Sequence, residues 1–137
     1  MDRFTRSKRS EIMRSIGGKN TQPEILVRSL LHRMGFRFRI HKKELPGKPD
    51  VVLSRHKKVV FVNGCFWHGH KHCPRAKLPE TRRAFWSSKI EGNIRRDARN
   101  VANLRDLGYK SIVVWTCQIK DVEALRAKLE RFMKRTN

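Results

Sequence analysis

Cys65 and Cys73 bracket His68, His70 and His72 in one short stretch, and Cys117 follows just past an apolar run. Thiolate and imidazole ligands in a tetrahedral set are what a structural zinc site needs. Cys65, His70, Cys73 and Cys117 supply such a set. His72 competes for the histidine position, although its adjacency to Cys73 makes joint ligation awkward. Ligand type alone leaves cobalt and iron open. The bland alternative is three free buried thiols beside a solvated histidine tract. Three cysteines cannot all pair as disulfides, and the neighbouring histidines point to metal in a reducing compartment.

Asp50 opens an apolar run after Leu45-Pro46-Gly47-Lys48-Pro49. A carboxylate there is costly without a partner, and Mg²⁺ is a natural one, because it takes one or two carboxylates and completes its shell with phosphate and water. The alternative is a turn-forming Asp. If the other ligands hold zinc, His68 is left free to accept a proton near neutral pH and to activate water against a phosphodiester. Asp97, in Asn93-Ile94-Arg95-Arg96-Asp97, reads on spacing as a surface ion pair, and Glu24 as part of a capping box. Phe66 and Trp67, adjacent in a polar loop, cannot both be core. With Trp86 they are candidates to stack on bases or wedge between them, against a plain core or interface role.

The elements that must position these groups follow from periodicity and breakers. Residues 5–16 read as a short basic helix ended by Gly17-Gly18. Thr21-Gln22-Pro23-Glu24 starts a second helix, with Ile25, Leu26, Leu30, Leu31 and Met34 as its buried stripe and Gly35 as its stop. Phe36 to Ile40 alternates as a half-exposed strand. Strands are expected at 50–53, 58–62 and 112–115, and residues 65–80 form an irregular loop. A long helix runs from 81 to about 107 with Phe85, Ile90, Ile94, Val101 and Leu104 inward. Asp121 opens a last helix through Val122, Leu125, Leu129 and Phe132. This order predicts an α/β fold, a mixed sheet flanked by helices, with Asp50, the 64–73 loop and Cys117 at strand ends where ligands gather.

The chain has 137 residues, enough for one domain. Its 33 Lys and Arg against 12 Asp and Glu give a net charge of +21. Such a charge demands a polyanion, and nucleic acid is the expected partner, but charge names neither sequence nor chemistry. A hydrophobic share of 38% permits a packed core. No apolar run approaches the roughly 20 residues of a membrane span, and the basic N-terminus lacks the apolar stretch of a secretory signal. A cytoplasmic, nucleoid-associated protein is expected.

Several blocks together carry a family resemblance: Pro46-Gly47-Lys48-Pro49-Asp50, Gly64-Cys65-Phe66-Trp67-His68-Gly69-His70, Thr81-Arg82 with Phe85-Trp86, Asn93, Arg96-Asp97, and Val114-Trp115-Thr116-Cys117. With Thr5-Arg6-Ser7-Lys8 and Met13-Arg14, the chain resembles the very short patch repair (Vsr) endonucleases from about residue 5 to about 129. The resemblance implies a restriction-endonuclease-like fold over a single domain, 1–137, whose residues 1–18 form a basic DNA-contacting helix. It implies Mg²⁺-dependent nicking of one strand of duplex DNA, 5′ of the thymine in a T·G mismatch left by 5-methylcytosine deamination. Such enzymes tend to accompany a cytosine-5 DNA methyltransferase, and an asymmetric lesion suits a monomer. Carried across, Asp50 and the Val62 carbonyl are Mg²⁺ ligands and His68 is the general base. Glu24 and Asp97 are supporting acids, and Cys65, His70, Cys73 and Cys117 are the Zn²⁺ ligands. Phe66, Trp67 and Trp86 are wedges, met by Met13 from the other side.

Two departures stand out. Asn63 occupies a position where the family often has His, and Asn cannot shuttle a proton, although it can hydrogen-bond a metal-bound water. The segment from His70 to Cys73 reads one residue longer than in some relatives, which keeps His72 in play as a ligand. The rival functions are a restriction-type nuclease of the same fold acting on other duplexes, and a zinc-stabilised DNA-binding protein without catalysis.

Overall fold

The computed structural model describes residues 21–40 and 42–135. The expected helix over 5–16, the 1–18 DNA-contacting segment and Met13 lie outside them. Helix α1, Gln22–Arg33, starts where the capping signals place it. Thr21 is extended and its hydroxyl accepts the Glu24 N–H at 3.5 Å, with Pro23 in the first turn. Gly35 (φ +89) turns the chain out.

The buried stripe of α1 differs from the expected one. Val27, Leu30 and Leu31 are buried and Leu26 and Met34 pack beside them, whereas Ile25 is 50% exposed. Residues 27, 30, 31 and 34 share one helical face, and Ile25 lies outside that repeat.

Four strands form one mixed sheet in the order β1-β2-β3-β4. Strand β1 (Arg39–Ile40) pairs antiparallel with β2 (Val51–Leu53), and β2 with β3 (Lys58–Asn63). Strand β3 pairs parallel with β4 (Lys110–Trp115), with Val62 opposite Val114 and Asn63 opposite Trp115. The expected strand over 36–40 therefore shrinks to two residues. Phe36 and Phe38 still pack on the core, so the alternation is real although little of it enters the ladder. Helix α2 (Arg83–Asp106) makes the crossover between the parallel pair, and α3 (Val122–Lys134) ends the described chain.

Alternation along the strands divides the core into two layers. Val51, Leu53, Val60 and Val114 meet α1 and α3 through Leu31, Leu125, Leu129 and Phe132. Val52 and Val59 face the other way, toward Leu104 of α2, with Phe61 and Tyr109 beside them. The sheet is thus covered on both faces, as the α/β reading requires. One buried residue runs against type: Lys58 donates from Nζ to the carbonyls of Phe132 (2.8 Å) and Met133 (3.0 Å), satisfying the end of α3.

Phe85 (44% exposed) and Ile94 (43%) do not point into the sheet as expected. The first half of α2 covers a loop instead. Gly69 (φ +61) lies so close to the helix that a Cβ there would sit 2.7 Å from Ile94 Cδ1 and 2.9 Å from Ile90 Cγ2. Among the described residues no helix is long and apolar enough to cross a membrane.

Candidate catalytic cleft and metal cluster

The cleft forms where β2 begins beside the end of β3. The Pro46–Pro49 turn closes with the Lys48 N–H donating to Leu45 O at 3.1 Å. Gly47 (φ +76) presses on α2, where a Cβ would meet Asn100 at 3.0 Å. This anchoring delivers Asp50 to the C-terminal end of β3, where Oδ2 accepts the Val62 N–H at 2.6 Å.

A strand residue's N–H and C=O point to the same edge, so the Val62 carbonyl shares the edge on which Asp50 sits. Two residues beyond the last registered pair, Val51–Val60, the antiparallel register puts Pro49 across from Val62, and proline brings no N–H to that carbonyl. A carboxylate and a backbone carbonyl are oxygen donors of the kind a hard cation such as Mg²⁺ takes, so the residues fit that ion.

Burial pushes the Asp50 carboxyl up to about 6. The Val62 amide pulls it back, Glu24 raises it further, and Arg28 and His68 lower it. Glu24 is 4% exposed and accepts from Arg28 Nη2 at 3.0 Å. The capping box therefore does not exhaust its role, because its buried charge acts on Asp50.

His68 Nδ1 lies 2.6 Å from Asp97 Oδ2. The pairing fixes Nδ1 as the proton-bearing nitrogen and leaves Nε2 to accept a proton, the arrangement in which a carboxylate orients a histidine base. Asp97 is thus a histidine partner and not the surface Arg pair that spacing suggested. The cleft, about 200 Å³, is lined by Gly47, Lys48, Asp50, Val62, Asn63, His68, Asp97 and Asn100, among others. Spacing had pointed to neither Lys48 nor Asn100.

At the other end of the same loop, one ligand atom each from Cys65, His70, Cys73 and Cys117 lie within 4.8 Å of one another. His72 is exposed and outside this group. Cys117 comes from the turn after β4, and its Sγ is 3.6 Å from His70 Nδ1, while the His70 ring stacks on Trp115 at 4.2 Å. Burial pushes the Cys65 thiol up, but hydrogen bonds from Thr116, Cys117 and His70 outweigh it and bring it to about 6. Burial and the Cys65 sulfur push Cys117 up to about 11. Three sulfurs this close cannot all ionise without a cation among them, and a Cys3His set fits zinc.

Four aromatic rings, two from the same loop and two from the start of α2, meet edge to face. Phe66 lies 5.3 Å from Trp67 and 5.5 Å from Trp86, and Phe85 adds to the group at 5.1 Å from Trp86. Phe66 and Trp86 are partly buried, and Trp67 is 49% exposed, so one of the two loop aromatics does face solvent. Asn93 of α2 donates to the Trp67 carbonyl at 2.8 Å, a tie that spacing did not reveal.

The family model for the DNA mismatch endonuclease Vsr matches residues 1–75, which include Asp50, His68 and three of the clustered Cys and His ligands. The chain belongs to the Vsr family. It is similar to the type II nicking enzyme V.XorIIP of Xanthomonas oryzae pv. oryzae, 47% identical over 132 residues, covering 96% of each chain. It is also 46% identical to the type II nicking enzyme V.NmeAIP of Neisseria meningitidis, over 97% of this chain and 94% of that one. The DNA mismatch endonuclease Vsr of Escherichia coli K12 is 42% identical over 124 residues, 90% of this chain and 77% of its own. As a member of this family the chain is a DNA endonuclease, a hydrolase whose partner is DNA.

Proposed function

We propose that this endonuclease nicks one strand of duplex DNA on the 5′ side of the thymine in a T·G mismatch, in a Mg²⁺-dependent reaction. The observation that carries the reading is the cleft itself, where Asp50 and the Val62 edge face the His68–Asp97 pair. Asp50 and the Val62 carbonyl are the Mg²⁺ ligands, and an ion held there supplies positive charge to a phosphate oxygen and acidifies a bound water. His68 Nε2 takes the proton of the attacking water, and Asp97 holds the imidazole in register and steadies its charged form. Glu24 acts from behind through its charge on Asp50, and Asn63 hydrogen-bonds water at the site.

Zinc on Cys65, His70, Cys73 and Cys117 is structural. Phe66, Trp67 and Trp86 wedge beside the mismatch, because a mismatched step costs less to unstack than a paired one. Met13 meets them from within the basic 1–18 segment of the single 1–137 domain. The enzyme acts as a monomer on an asymmetric lesion, in the cytoplasm at the nucleoid. It serves a cytosine-5 DNA methyltransferase whose product generates the mismatch.

A second reading is a restriction-type nuclease of the same fold acting on matched or differently damaged duplex, and the names of the two nicking-enzyme relatives, which carry no mismatch, favour keeping it. End-labelled duplexes carrying one mismatch or none, in varied contexts, separate the two. Nicking 5′ of T in T·G duplexes alone, dependent on Mg²⁺, is the expected result. Equal cutting of matched duplex would reject mismatch selectivity while keeping the nuclease.

A further inference from the structure

Lys48 is held in a backbone conformation that a lysine adopts reluctantly. Its φ is +48, directly after Gly47 at +76. The residue that follows is Pro49, which drives the position before it toward extended geometry. A side chain in the left-handed region carries a steric cost that glycine escapes, and such outliers persist where surrounding structure over-determines them. Here Gly47 pressed against Asn100, and the Lys48 N–H bonded to Leu45, fix the turn.

Lys48 is an exposed residue on the lining of the cleft that also holds Asp50, His68 and Asp97, which puts its ammonium within reach of a phosphate seated there. It is the one Lys or Arg of that lining, and no hydrogen bond or ion pair engages its ammonium among the described residues. The guanidinium nearest Asp50, Arg28, is committed to Glu24, and His68 is hydrogen-bonded to Asp97. Two carboxylates, Asp50 and Asp97, therefore line the place where a phosphodiester, already an anion, must gain further negative charge during hydrolysis.

We infer that Lys48 contacts the phosphodiester being cut and stabilises the charge it gains, making it a catalytic residue of the cleft. The oxygen of water bonds to phosphorus, its proton passes to His68, and the phosphorus–oxygen bond to the leaving strand breaks, that oxygen being protonated by solvent. Lys48 keeps its protons throughout and supplies a fixed cation aimed at the developing charge, the kind of group whose loss costs most in the chemical step. The inference rests on phosphodiester hydrolysis at this cleft, and it does not depend on which mismatch is preferred.

The test uses the full-length, zinc-loaded protein with Lys48→Gln, Lys48→Arg and Lys48→Gly, on whichever duplex the wild type nicks best. At saturating enzyme, Lys48→Gln slows single-turnover nicking by about 100-fold, and Lys48→Arg recovers most of it. Lys48→Gly raises the melting temperature, since glycine relieves the turn, yet nicks as slowly as Lys48→Gln. Duplex affinity in Mg²⁺-free buffer supplies a readout independent of turnover. Lys48→Gln weakens binding to native duplex roughly tenfold, but leaves unchanged the binding of a duplex whose nick-site phosphate is a neutral methylphosphonate.

Wild-type nicking by Lys48→Gln or Lys48→Gly overturns the inference. So does an equal affinity loss on native and methylphosphonate duplexes, which would place the contact on another phosphate. Failure of the wild type to nick any duplex would instead sink the hydrolytic reading, and the methylphosphonate comparison would still decide whether Lys48 touches that phosphate.

Discussion

Replacing Asp50 with Asn should stabilise the protein at pH 7 in zinc-replete, magnesium-free buffer, while abolishing nicking. Burial raises the Asp50 carboxyl from 3.8 to about 6, so the folded state at pH 7 holds a charge that the unfolded chain carries at no cost. A shift of about two pKa units corresponds to about 3 kcal/mol; the cleft is open to solvent, which lowers the expected gain to about 1–3 kcal/mol. The carboxamide oxygen can still accept the Val62 N–H, so the substitution removes the charge without orphaning that amide.

For a chain of this size such a gain raises Tm by roughly 3–10 °C. The pH dependence has a definite sign. Because the folded pKa is raised, the contribution of Asp50 to stability is present in full below about pH 4 and is lost as the pH rises through 6. The Tm difference between variant and wild type should therefore be largest near pH 7 and close toward pH 4. Adding Mg²⁺ should reverse the order, since the wild type gains about 4.1 kcal/mol at a concentration about 1,000 times its Kd and the variant gains nothing. Differential scanning fluorimetry across pH and Mg²⁺ reads all of this. A variant that melts below the wild type at pH 7, or a gap that does not narrow in acid, would refute the claim that Asp50 is held charged at a cost.

His68→Ala and Asp97→Asn should each lower single-turnover nicking by about 10²–10⁴, and the double variant should lose no more than His68→Ala alone, because the pair acts as a unit; additive losses would separate the two residues. Gly69→Ala should cost about 1–3 kcal/mol in denaturant melts, since its Cβ meets Ile94 and Ile90 at 2.7 and 2.9 Å in a left-handed backbone; an unchanged midpoint would show that the loop does not bear on α2 so tightly. Cys117→Ser should release bound zinc to a colorimetric chelator, lower Tm and suppress nicking even in excess Mg²⁺, and retention of stoichiometric zinc would remove Cys117 from the ligand set. Trp67→Ala should weaken the preference for mismatched over matched duplex more than general DNA affinity, with parallel losses on both rejecting a wedge.

The sheet and its covering helices were legible because each strand carries its own short-range pattern, and because Gly35 and Gly108 punctuate the helices. The errors fell where a neighbour other than the sheet decided burial. Phe85 and Ile94 have inward helical spacing, yet the surface they cover is a loop and an aromatic group, which no periodicity encodes. Lys58 reads as a misfit in an apolar strand until the carbonyls at the end of α3, far along the chain, give its ammonium partners. The Cys and His cluster was legible in its local part, since Cys65, His70 and Cys73 share one loop, and Cys117 follows a recognisable strand. The pairing of His68 with Asp97 was not, because it joins a loop to the middle of a helix and depends on the packing of Gly69 beneath Ile90 and Ile94.

That packing explains why one loop can serve both parts of the site. Cys65, His70 and Cys73 face the cluster with Cys117, while Phe66 and Trp67, between the first two ligands, join the aromatic group, and His68 turns to Asp97 and the cleft. A loop held only by its own turns would let these side chains wander, and a misplaced base of the kind proposed for His68 costs large factors in rate. Gly69 lets the chain reverse against α2 between His68 and His70, so adjacent histidine positions face different tasks. Helix α2 closes the arrangement with Asn93 on the Trp67 carbonyl, Asp97 on His68 and Asn100 under Gly47, one residue on successive turns for each segment of the cleft. Aromatic group, His68 and Asp50 turn are thereby referred to a single rigid rod, and a shift of α2 moves all of them together.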